Sequence, residues 1–260
     1  MKKIVEQVWD YTKHAKFYEY RPNYAQKSID MLLSLAKNEP NERLKVADIG
    51  AGTGNLSVML LERGCEVVSV EPNDAMREIG IERTKGANIK WVRATGLETG
   101  LENASFDWVT FGSSFNVMDR NKALEEAHRL LKMGRYFSCM WNHRDLNDEI
   151  QKIAQKCILE LVPNYETGVR REDQRPVIEK KKDLFDLVVY LEEDFYFHQS
   201  RANYIKAWQS VKNPYWDLES KDGQTLFEKI IKLWEKELPN DFDIKYTTRA
   251  WSAKKVGKGL

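Results

Sequence analysis

The sequence predicts an α/β fold: an open, mostly parallel sheet of seven strands, with helices on both faces and a helical cap. Two observations predict it. From about residue 44 to residue 145, short apolar runs alternate with segments of helical periodicity at close spacing. The chain also has 260 residues and 42% hydrophobic content, which is enough for one large domain with a single well-filled core.

The first half of the chain supplies five strands. We predict them in the segments LKVADIG, CEVVSVEP, IKWVRAT, FDWVTFGSS and RYFSCMWN. Helices are predicted between them: NLSVMLLERG ends at a glycine, NDAMREIGIERTKG begins at a cap residue, Asn73 or Asp74, and DRNKALEEAHRLLKMG carries its leucines on one face. Parallel strands joined by helices end at the same edge of a sheet, so the loops that follow these strands meet on one rim.

The rest of the chain supplies a cap and two more strands. After residue 146 we predict an amphipathic helix in DEIQKIAQKCILEL, a strand in LEEDFYFHQS, helices in RANYIKAWQSV and SKDGQTLFEKIIKLWEKEL, and a final strand in DFDIKYTTRAWSAKKV. The chain is therefore interpreted as one domain. It consists of an amino-terminal cap segment at 1–40, a core at 41–146, a second cap region at 147–240 and a final strand at 241–254.

Composition excludes several classes of protein. Lysine plus arginine (41) nearly equals aspartate plus glutamate (40), which argues against a broad nucleic-acid groove. No segment approaches the roughly 18 apolar residues of a membrane span, and the start lacks an apolar stretch of signal-peptide length. Cys65, Cys139 and Cys157 are far apart, so they form neither a metal-binding pair nor a disulfide framework. We expect a cytoplasmic protein that binds neither metal nor membrane; the oligomeric state is left open.

A glycine-rich loop follows the first strand in the segment VADIGAGTGNL. Gly50, Gly52 and Gly54 come directly after the acid Asp48. Their spacing differs from the G-x-G-x-x-G of dinucleotide sites, and there is no G-K-[ST] of a phosphate loop. Glu71 ends the second strand, where an acid accepts hydrogen bonds from both hydroxyls of a ribose. Because the loop contains no lysine or arginine, the predicted ligand carries a ribose but needs no phosphate.

In this order, VADIGAGTGN, VVSVEPNDAM, FDWVTFGSSF and the helix ending in LLKMGRYF resemble the class I S-adenosylmethionine-dependent methyltransferases, whose fold is Rossmann-like. The resemblance covers about residues 40 to 145. FYEYRPNY, WNHRD and YTTRAWSAKK also look like a small-molecule branch similar to trans-aconitate methyltransferases. The resemblance implies S-adenosylmethionine as the cofactor and methyl transfer to an oxygen, nitrogen or carboxylate of a small-molecule acceptor, with 147–240 forming the acceptor region.

The resemblance also implies a set of cofactor-binding residues on the rim. The glycine loop would contact the methionine part, the acid after the second strand would hold the ribose, the loop after the third strand would flank the adenine, and the fourth strand would end near the sulfonium. Two residues of the amino-terminal segment would close over the cofactor. In order, the residues are Asp48, Gly50, Ala51, Gly52, Glu71, Pro72, Met76, Thr95, Gly96, Leu97, Ser113, Tyr20 and Arg21.

A hydroxyl or amine acceptor must lose a proton, so the rim needs a base. His143, in the loop after the fifth strand, is the first candidate, although it could equally be a histidine bonded to the backbone. Asp145 and Asp119 are the next candidates for the base. Asn116 is a further catalytic candidate, because relatives in the narrower branch often carry a histidine-containing element at this place.

Three alternatives remain open at this point. A carboxylate acceptor needs no base, and Arg144 or Arg249 would then hold the anion. A methyltransferase acting on RNA or protein is disfavoured by the balanced charge and by FGSSFNV in place of an N-P-P-[YF] element. Asn116 keeps a third hypothesis open. The protein would then bind S-adenosylmethionine and use its sulfonium for other chemistry, such as intramolecular cyclisation.

Overall fold

The computed structural model describes residues 11–166 and 172–257, so the first ten residues of the predicted cap segment lie outside the described residues. The described residues form one sheet of seven strands. These are β1 (Lys45–Ile49), β2 (Glu66–Val70), β3 (Ile89–Val92), β4 (Phe106–Phe111), β5 (Leu131–Arg144), β6 (Phe185–Ser200) and β7 (Asp241–Lys255). Their order across the sheet is β3-β2-β1-β4-β5-β7-β6.

The sheet is mostly parallel, as predicted. Strands β1 to β5 pair in parallel, and β7 pairs antiparallel with both β5 and β6. β6 begins at Phe185, six residues before the predicted LEEDFYFHQS segment, because its first residues also pair with β7, for example Tyr190 with Trp251. That pairing partner is distant in the chain, so local pattern could not reveal the earlier start.

The described residues form eight α-helices and two short 3-10 helices. They are α1 (Gln26–Ala36), α2 (Asn55–Glu62), α3 (Asp74–Arg83), α4 (Arg120–Leu130), α5 (Glu149–Leu161), α6 (Arg175–Glu179), α7 (Arg201–Gln209) and α8 (Lys221–Glu237), with 3-10 helices at Ala15–Tyr20 and Phe115–Val117. The predicted cap at Asn73 is present: its side chain accepts a hydrogen bond from the backbone nitrogen of Met76 at 3.0 Å and so begins α3.

Three apolar clusters hold these elements together. Phe111, Phe137 and the buried face of α4 form one cluster on one face of the sheet. Trp108, with α1 and α2, forms a second cluster that shares no residue with the first. The helices α5, α7 and α8 pack around Trp234 with the start of β7 in a third cluster, which builds the cap. The predicted helices on both faces and the helical cap are thus confirmed.

A clamp from two strands fixes the segment that enters α1. The Asn142 side chain on β5 donates to the carbonyl oxygens of Pro22 (3.3 Å) and Asn23 (3.0 Å), and it accepts from Thr248 on β7 at 2.6 Å. The Thr248 hydroxyl in turn accepts from the backbone nitrogen of Ala25 at 2.8 Å. The amino-terminal segment is therefore bound to the sheet before the first helix begins.

We expect Asn142→Ala to lower the free energy of unfolding by about 1–3 kcal/mol, because the clamp loses its central side chain and the hydroxyl of the buried Thr248 loses its acceptor. Limited proteolysis should then cleave the chain ahead of residue 26 more rapidly. The matched control is Asn147→Ala, at an exposed position, with an expected change within about 0.5 kcal/mol. Equal stability and equal cleavage of the two variants would contradict the clamp.

Candidate active site

The candidate site lies where the chain changes direction across the sheet. From β1 the chain runs outward to β2 and β3, then returns to place β4 on the other side of β1. In open α/β sheets such a switch point leaves a crevice beyond the carboxyl ends of the strands, where ligands bind. The loops after β1, β2, β3 and β4 meet there, as the sequence predicted.

The glycine loop combines one crowded position with one open position. At Gly50 (φ +66°) an added Cβ would lie 2.4 Å from the Cβ of Ser114, whose hydroxyl donates to the Ile49 carbonyl at 2.5 Å. At Gly52 (φ +59°) an added Cβ would meet no atom within 4 Å. Gly50 is thus required by the close approach of two chain segments, whereas Gly52 borders space that a ligand could fill.

Asp48 is a buried carboxylate held by hydroxyl groups. It is 1% exposed; the Ser57 hydroxyl donates to it at 2.6 Å and the Thr110 hydroxyl at 3.2 Å. Ser57 also hydrogen-bonds with the hydroxyl of Ser69 at 2.8 Å. Burial raises the pKa of Asp48 to about 6, assisted by the negative charge of Glu71 and opposed by the two hydroxyls. A cation at this rim would favour its ionised form.

Glu71 lies against the glycine loop. One of its oxygens accepts from the backbone nitrogen of Gly52 and the other from that of Asn73, both at 2.9 Å. The residue is 7% exposed, and burial raises the pKa of its carboxyl although the two backbone donors oppose this. A carboxylate offers about four acceptor positions, so each oxygen can accept a further bond from a ribose hydroxyl without losing the backbone contact.

The loop after β3 closes the other side of the crevice. Thr95 bridges to Glu98, and an added Cβ at Gly96 would lie 2.8 Å from Ile49 and 2.9 Å from the methyl group of Met118. Leu97 packs against the core cluster beneath. Met118 was not predicted, and nothing in its local sequence indicates that it reaches this loop.

Three further predicted residues lie next to these loops. Ala51 donates its backbone N–H to the Val70 carbonyl at 3.0 Å, which fixes the start of the glycine loop against β2. Pro72 is exposed and directly follows Glu71, and Met76 is buried in the first turn of α3. Their contact with a cofactor stays a prediction.

The end of β4 contributes Ser113 and Asn116. Ser113 is exposed, and its backbone nitrogen donates to the hydroxyl of Tyr24 at 3.1 Å. Asn116, in the 3-10 helix Phe115–Val117, has a buried side-chain oxygen with no hydrogen-bond partner among the described residues. An unpartnered buried acceptor is costly, so this oxygen is available to a donor on a bound molecule.

Tyr20 and Arg21 are bound to the cap in this structure. The Tyr20 hydroxyl accepts from Lys206 of α7 at 3.3 Å. The guanidinium of Arg21 donates twice to Ser210, at 2.6 Å each, and lies 3.9 Å from the centre of the Tyr18 ring. Another residue of this segment, Tyr24, does reach the rim, where its hydroxyl accepts from the backbone nitrogen of Ser113. Closure of Tyr20 and Arg21 over a cofactor stays a prediction.

The candidate bases differ in their surroundings. The prediction that His143 lies in the loop after the fifth strand is wrong, because β5 continues to Arg144 and His143 pairs there with Thr247 of β7. His143 is 6% exposed, and its ring centroid lies 6.2 Å from that of Trp141. Asp145 accepts from the backbone nitrogen of Asn147 and pairs with Lys245 at 3.2 Å; these contacts lower the pKa of its carboxyl, the backbone bond most. An acid of low pKa is a weak proton acceptor, so His143 is the better candidate. Asp119 caps α4 instead.

The two arginines proposed for an anion also differ. The Arg144 guanidinium lies 3.7 Å from the centre of the Trp208 ring, next to the cap. Arg249 pairs with Glu192 at 2.8 Å. Arg249 therefore already has a carboxylate partner within the chain.

Residues 11–166 and 172–257 contain no group of three or more His, Cys, Asp or Glu placed to hold a metal ion. Within the same ranges, no helix is both long enough and apolar enough to cross a membrane.

Comparison with known families now bears on this geometry. Residues 47–139 match the family model described as a methyltransferase domain. The match runs from β1 into β5, so it includes the glycine loop, Glu71 and the end of β4. This part of the chain is therefore similar to methyltransferase domains, in agreement with the prediction of S-adenosylmethionine as the cofactor.

Curated relatives match about half of the chain or less. An uncharacterized methyltransferase of Mycobacterium tuberculosis is 34% identical over 125 residues, 48% of each chain. A demethylmenaquinone methyltransferase of Staphylococcus aureus is 34% identical over 102 residues, 37% of this chain and 42% of the relative. The chain thus spans about half or less of the length of these relatives.

Solved structures share the fold over nearly the whole chain. A protein of Anaeromyxobacter dehalogenans, provisionally assigned as a type II methyltransferase, superposes with a TM-score of 0.60 at 17% identity, covering 92% of this chain and 98% of its own. The phospholethanolamine N-methyltransferase 2 of Haemonchus contortus gives 0.54 at 16% identity, covering 96% of this chain and 61% of its own. At these identities the likeness concerns the fold.

The burial of Asp48 predicts an unusual pH dependence of stability. Its folded pKa, about 6, exceeds the ordinary 3.8, so the folded state binds the proton more tightly and this group lowers the free energy of unfolding as pH rises from about 4 to about 6. We expect Asp48→Asn to be more stable than the parent at pH 7 by roughly 1–3 kcal/mol, with little difference at pH 4. Urea unfolding at both pH values measures this.

Titrating groups that do not interact with Asp48 contribute equally to both proteins and cancel in the difference between parent and variant. What remains is the titration of Asp48 together with its coupling to Glu71. A difference that does not change with pH would contradict the raised pKa.

Proposed function

We propose that this protein transfers the methyl group of S-adenosylmethionine to a small-molecule acceptor bound between the rim and the cap. The observation that carries the proposal is the meeting of Asp48, the open turn at Gly52 and Glu71 on one rim at the switch point of the sheet. Bound S-adenosylmethionine supplies a methyl group that its sulfonium makes strongly electrophilic. The protein then has to bind the cofactor and the acceptor, orient them relative to each other and exclude water.

The acids divide the binding of the cofactor between them. We propose that Glu71 accepts the ribose hydroxyls, since each of its oxygens has acceptor capacity beyond the backbone bond it already makes. Asp48 would face the positively charged methionine end, which would favour its ionised form against the cost of burial. The loop at Thr95, Gly96 and Leu97 would flank the adenine, with the Met118 methyl group packed behind Gly96.

The cap, the balance of charge and the names of two similar proteins support a small acceptor. The second cap region, 147–240, packs on the sheet through an aromatic cluster around Trp234, and charges of the two signs are balanced. One relative is named a demethylmenaquinone methyltransferase and one structural neighbour a phospholethanolamine N-methyltransferase, names that are compatible with small acceptors. RNA and protein acceptors, and cyclisation of the cofactor itself, are the alternatives that the experiment below separates.

The proton of a hydroxyl or amine acceptor would pass to His143. Its place near the end of β5 and the weakness of Asp145 as a base support this role. A carboxylate acceptor, which the resemblance to the trans-aconitate branch implies, needs no base. In that case Arg144 is preferred to Arg249, because Glu192 already neutralises Arg249.

The test is label transfer from S-adenosylmethionine labelled on its methyl group, with and without a small-metabolite extract. We expect label in a small molecule only when extract is present. Glu71→Gln should weaken cofactor binding about 10- to 100-fold through loss of charge-assisted bonds to the ribose. The matched control is Glu78→Gln on the exposed side of α3, with an expected change within about twofold.

Each alternative has its own outcome. Label in added RNA or protein, but not in the extract, would replace the small acceptor with a macromolecule. A sulfur product formed without extract and without label transfer would point to chemistry on the cofactor itself. Equal cofactor binding by the two glutamine variants would contradict the role of Glu71.

For a hydroxyl or amine acceptor, we expect His143→Asn to lower kcat by at least about 100-fold while leaving the dissociation constant of the cofactor unchanged. Asp145→Asn is the comparison, and its expected effect on kcat is within about threefold because Asp145 already pairs with Lys245. Steady-state kinetics and cofactor titration measure both. A larger loss from Asp145→Asn would reverse the assignment; full activity of His143→Asn would favour a carboxylate acceptor.

A further inference from the structure

Strand β6 forms one end of the sheet. It is the last strand in the order across the sheet, it runs for 16 residues, and it pairs with β7 on one side. Within the described ranges 11–166 and 172–257, no strand pairs with its outer edge. An edge strand presents a row of backbone N–H and C=O groups that can pair with a strand of another chain.

Apolar side chains reach this edge on both faces of the sheet. On one face, Tyr196 is 69% exposed and Tyr190 is 38% exposed. On the other face, Leu191 packs against the second apolar cluster, and Phe195 and Phe197 pack against the third, yet all three stay partly exposed. Two of the apolar clusters therefore end at the open edge, where a further strand would cover them.

Three consecutive acids, residues 192–194, lie in the middle of β6. Charge on an edge strand commonly opposes pairing with another chain. Here each acid already has a partner within the chain at 2.7–2.8 Å: the pairs are Glu192 with Arg249, Asp194 with Lys245, and Glu193 with the backbone nitrogen of Ser28. Because their charge is compensated in part, these acids restrict the register of pairing more than they prevent pairing.

Pairing with a second copy of this chain would place a two-fold axis at the outer edge of β6, so that the same strand continues the sheet in antiparallel direction. Side chains directly opposite each other on such strands interact, and like charges there are unfavourable. An axis at Glu193 or at Asp194 would place that acid opposite its own copy. Charge therefore disfavours both of these registers.

An axis at Phe195 gives complementary pairs instead. Tyr196 then lies opposite Asp194 of the partner subunit, His198 lies opposite Glu192 of the partner subunit, and the two Phe195 rings meet at the axis. Aromatic pairs and pairs of opposite charge at such positions stabilise antiparallel strands. This register includes residues 190–200 of both copies, so it also covers the partly exposed apolar side chains of the edge.

We propose that this protein forms a two-fold symmetric dimer in which β6 pairs with β6 of the second copy about Phe195, joining two seven-stranded sheets into one. Helix α1 extends the surface: Ser28 contacts the edge through Glu193, and Met31, three residues later on the same side of the helix, is 62% exposed. The interface is small, so we expect a dissociation constant on the order of 1–100 µM. The dimer does not depend on the proposed function.

The first test is sedimentation velocity of the parent and two variants over a concentration series. His198 is 71% exposed on its side chain, so its replacement leaves the core intact. We expect His198→Glu to raise the dissociation constant about tenfold, because two symmetric pairs become acid opposite acid. His198→Lys should lower it about threefold. The matched control is Lys229→Glu on the exposed side of α8, with an expected change within about twofold.

Amide hydrogen exchange then locates the contact. At concentrations where the parent is dimeric, we expect stronger protection of residues 190–200 than in dilute protein, and no change in β3 at the opposite end of the sheet. A parent that stays monomeric at every concentration would overturn the inference. So would a dimer that responds to neither His198 variant, or one that protects a different surface. The proposed function stands in each of these cases.

Discussion

The buried carboxylate of Asp48 is the group on which the rim depends. It lies near the end of β1 and is bound by hydroxyls from α2 and β4, so it joins three elements at the switch point. Burial without a cationic partner is unfavourable, and the raised pKa is the measure of that cost. Glu71 adds a second buried acid nearby. The rim therefore concentrates two acidic groups whose burial a cationic ligand would make less unfavourable.

The glycine loop turns that charge into a site with a defined shape. The absence of a side chain at Gly50 lets Ser114, in the loop after β4, approach the end of β1, and the bond from Gly52 to Glu71 fixes the loop against the end of β2. Each contact joins the backbone of a glycine to the side chain of a neighbouring segment, Ser114 in the first and Glu71 in the second. The site is thus organised before any ligand arrives, so little binding free energy is spent on ordering it.

What the sequence could predict follows from how local each feature is. The first strand, the glycine turn and the acid after the second strand are each defined by a few consecutive residues. Asp48, Gly52 and Glu71 could therefore be predicted from local sequence patterns. Met118 and the Asn142 clamp could not, because each acts on residues far away in the chain. The early start of β6 was missed for the same reason: pairing with β7 decided it.

The amino-terminal segment shows why neighbours in sequence need not share a role. Arg21 and Tyr24 are three residues apart, yet Arg21 binds Ser210 in the cap and Tyr24 binds Ser113 on the sheet. Pro22 lies between them, with its carbonyl held by Asn142. The segment therefore bridges the cap and the crevice. Within five residues, from Tyr20 to Tyr24, this segment thus links α7 and the residue that follows it to the loop after β4.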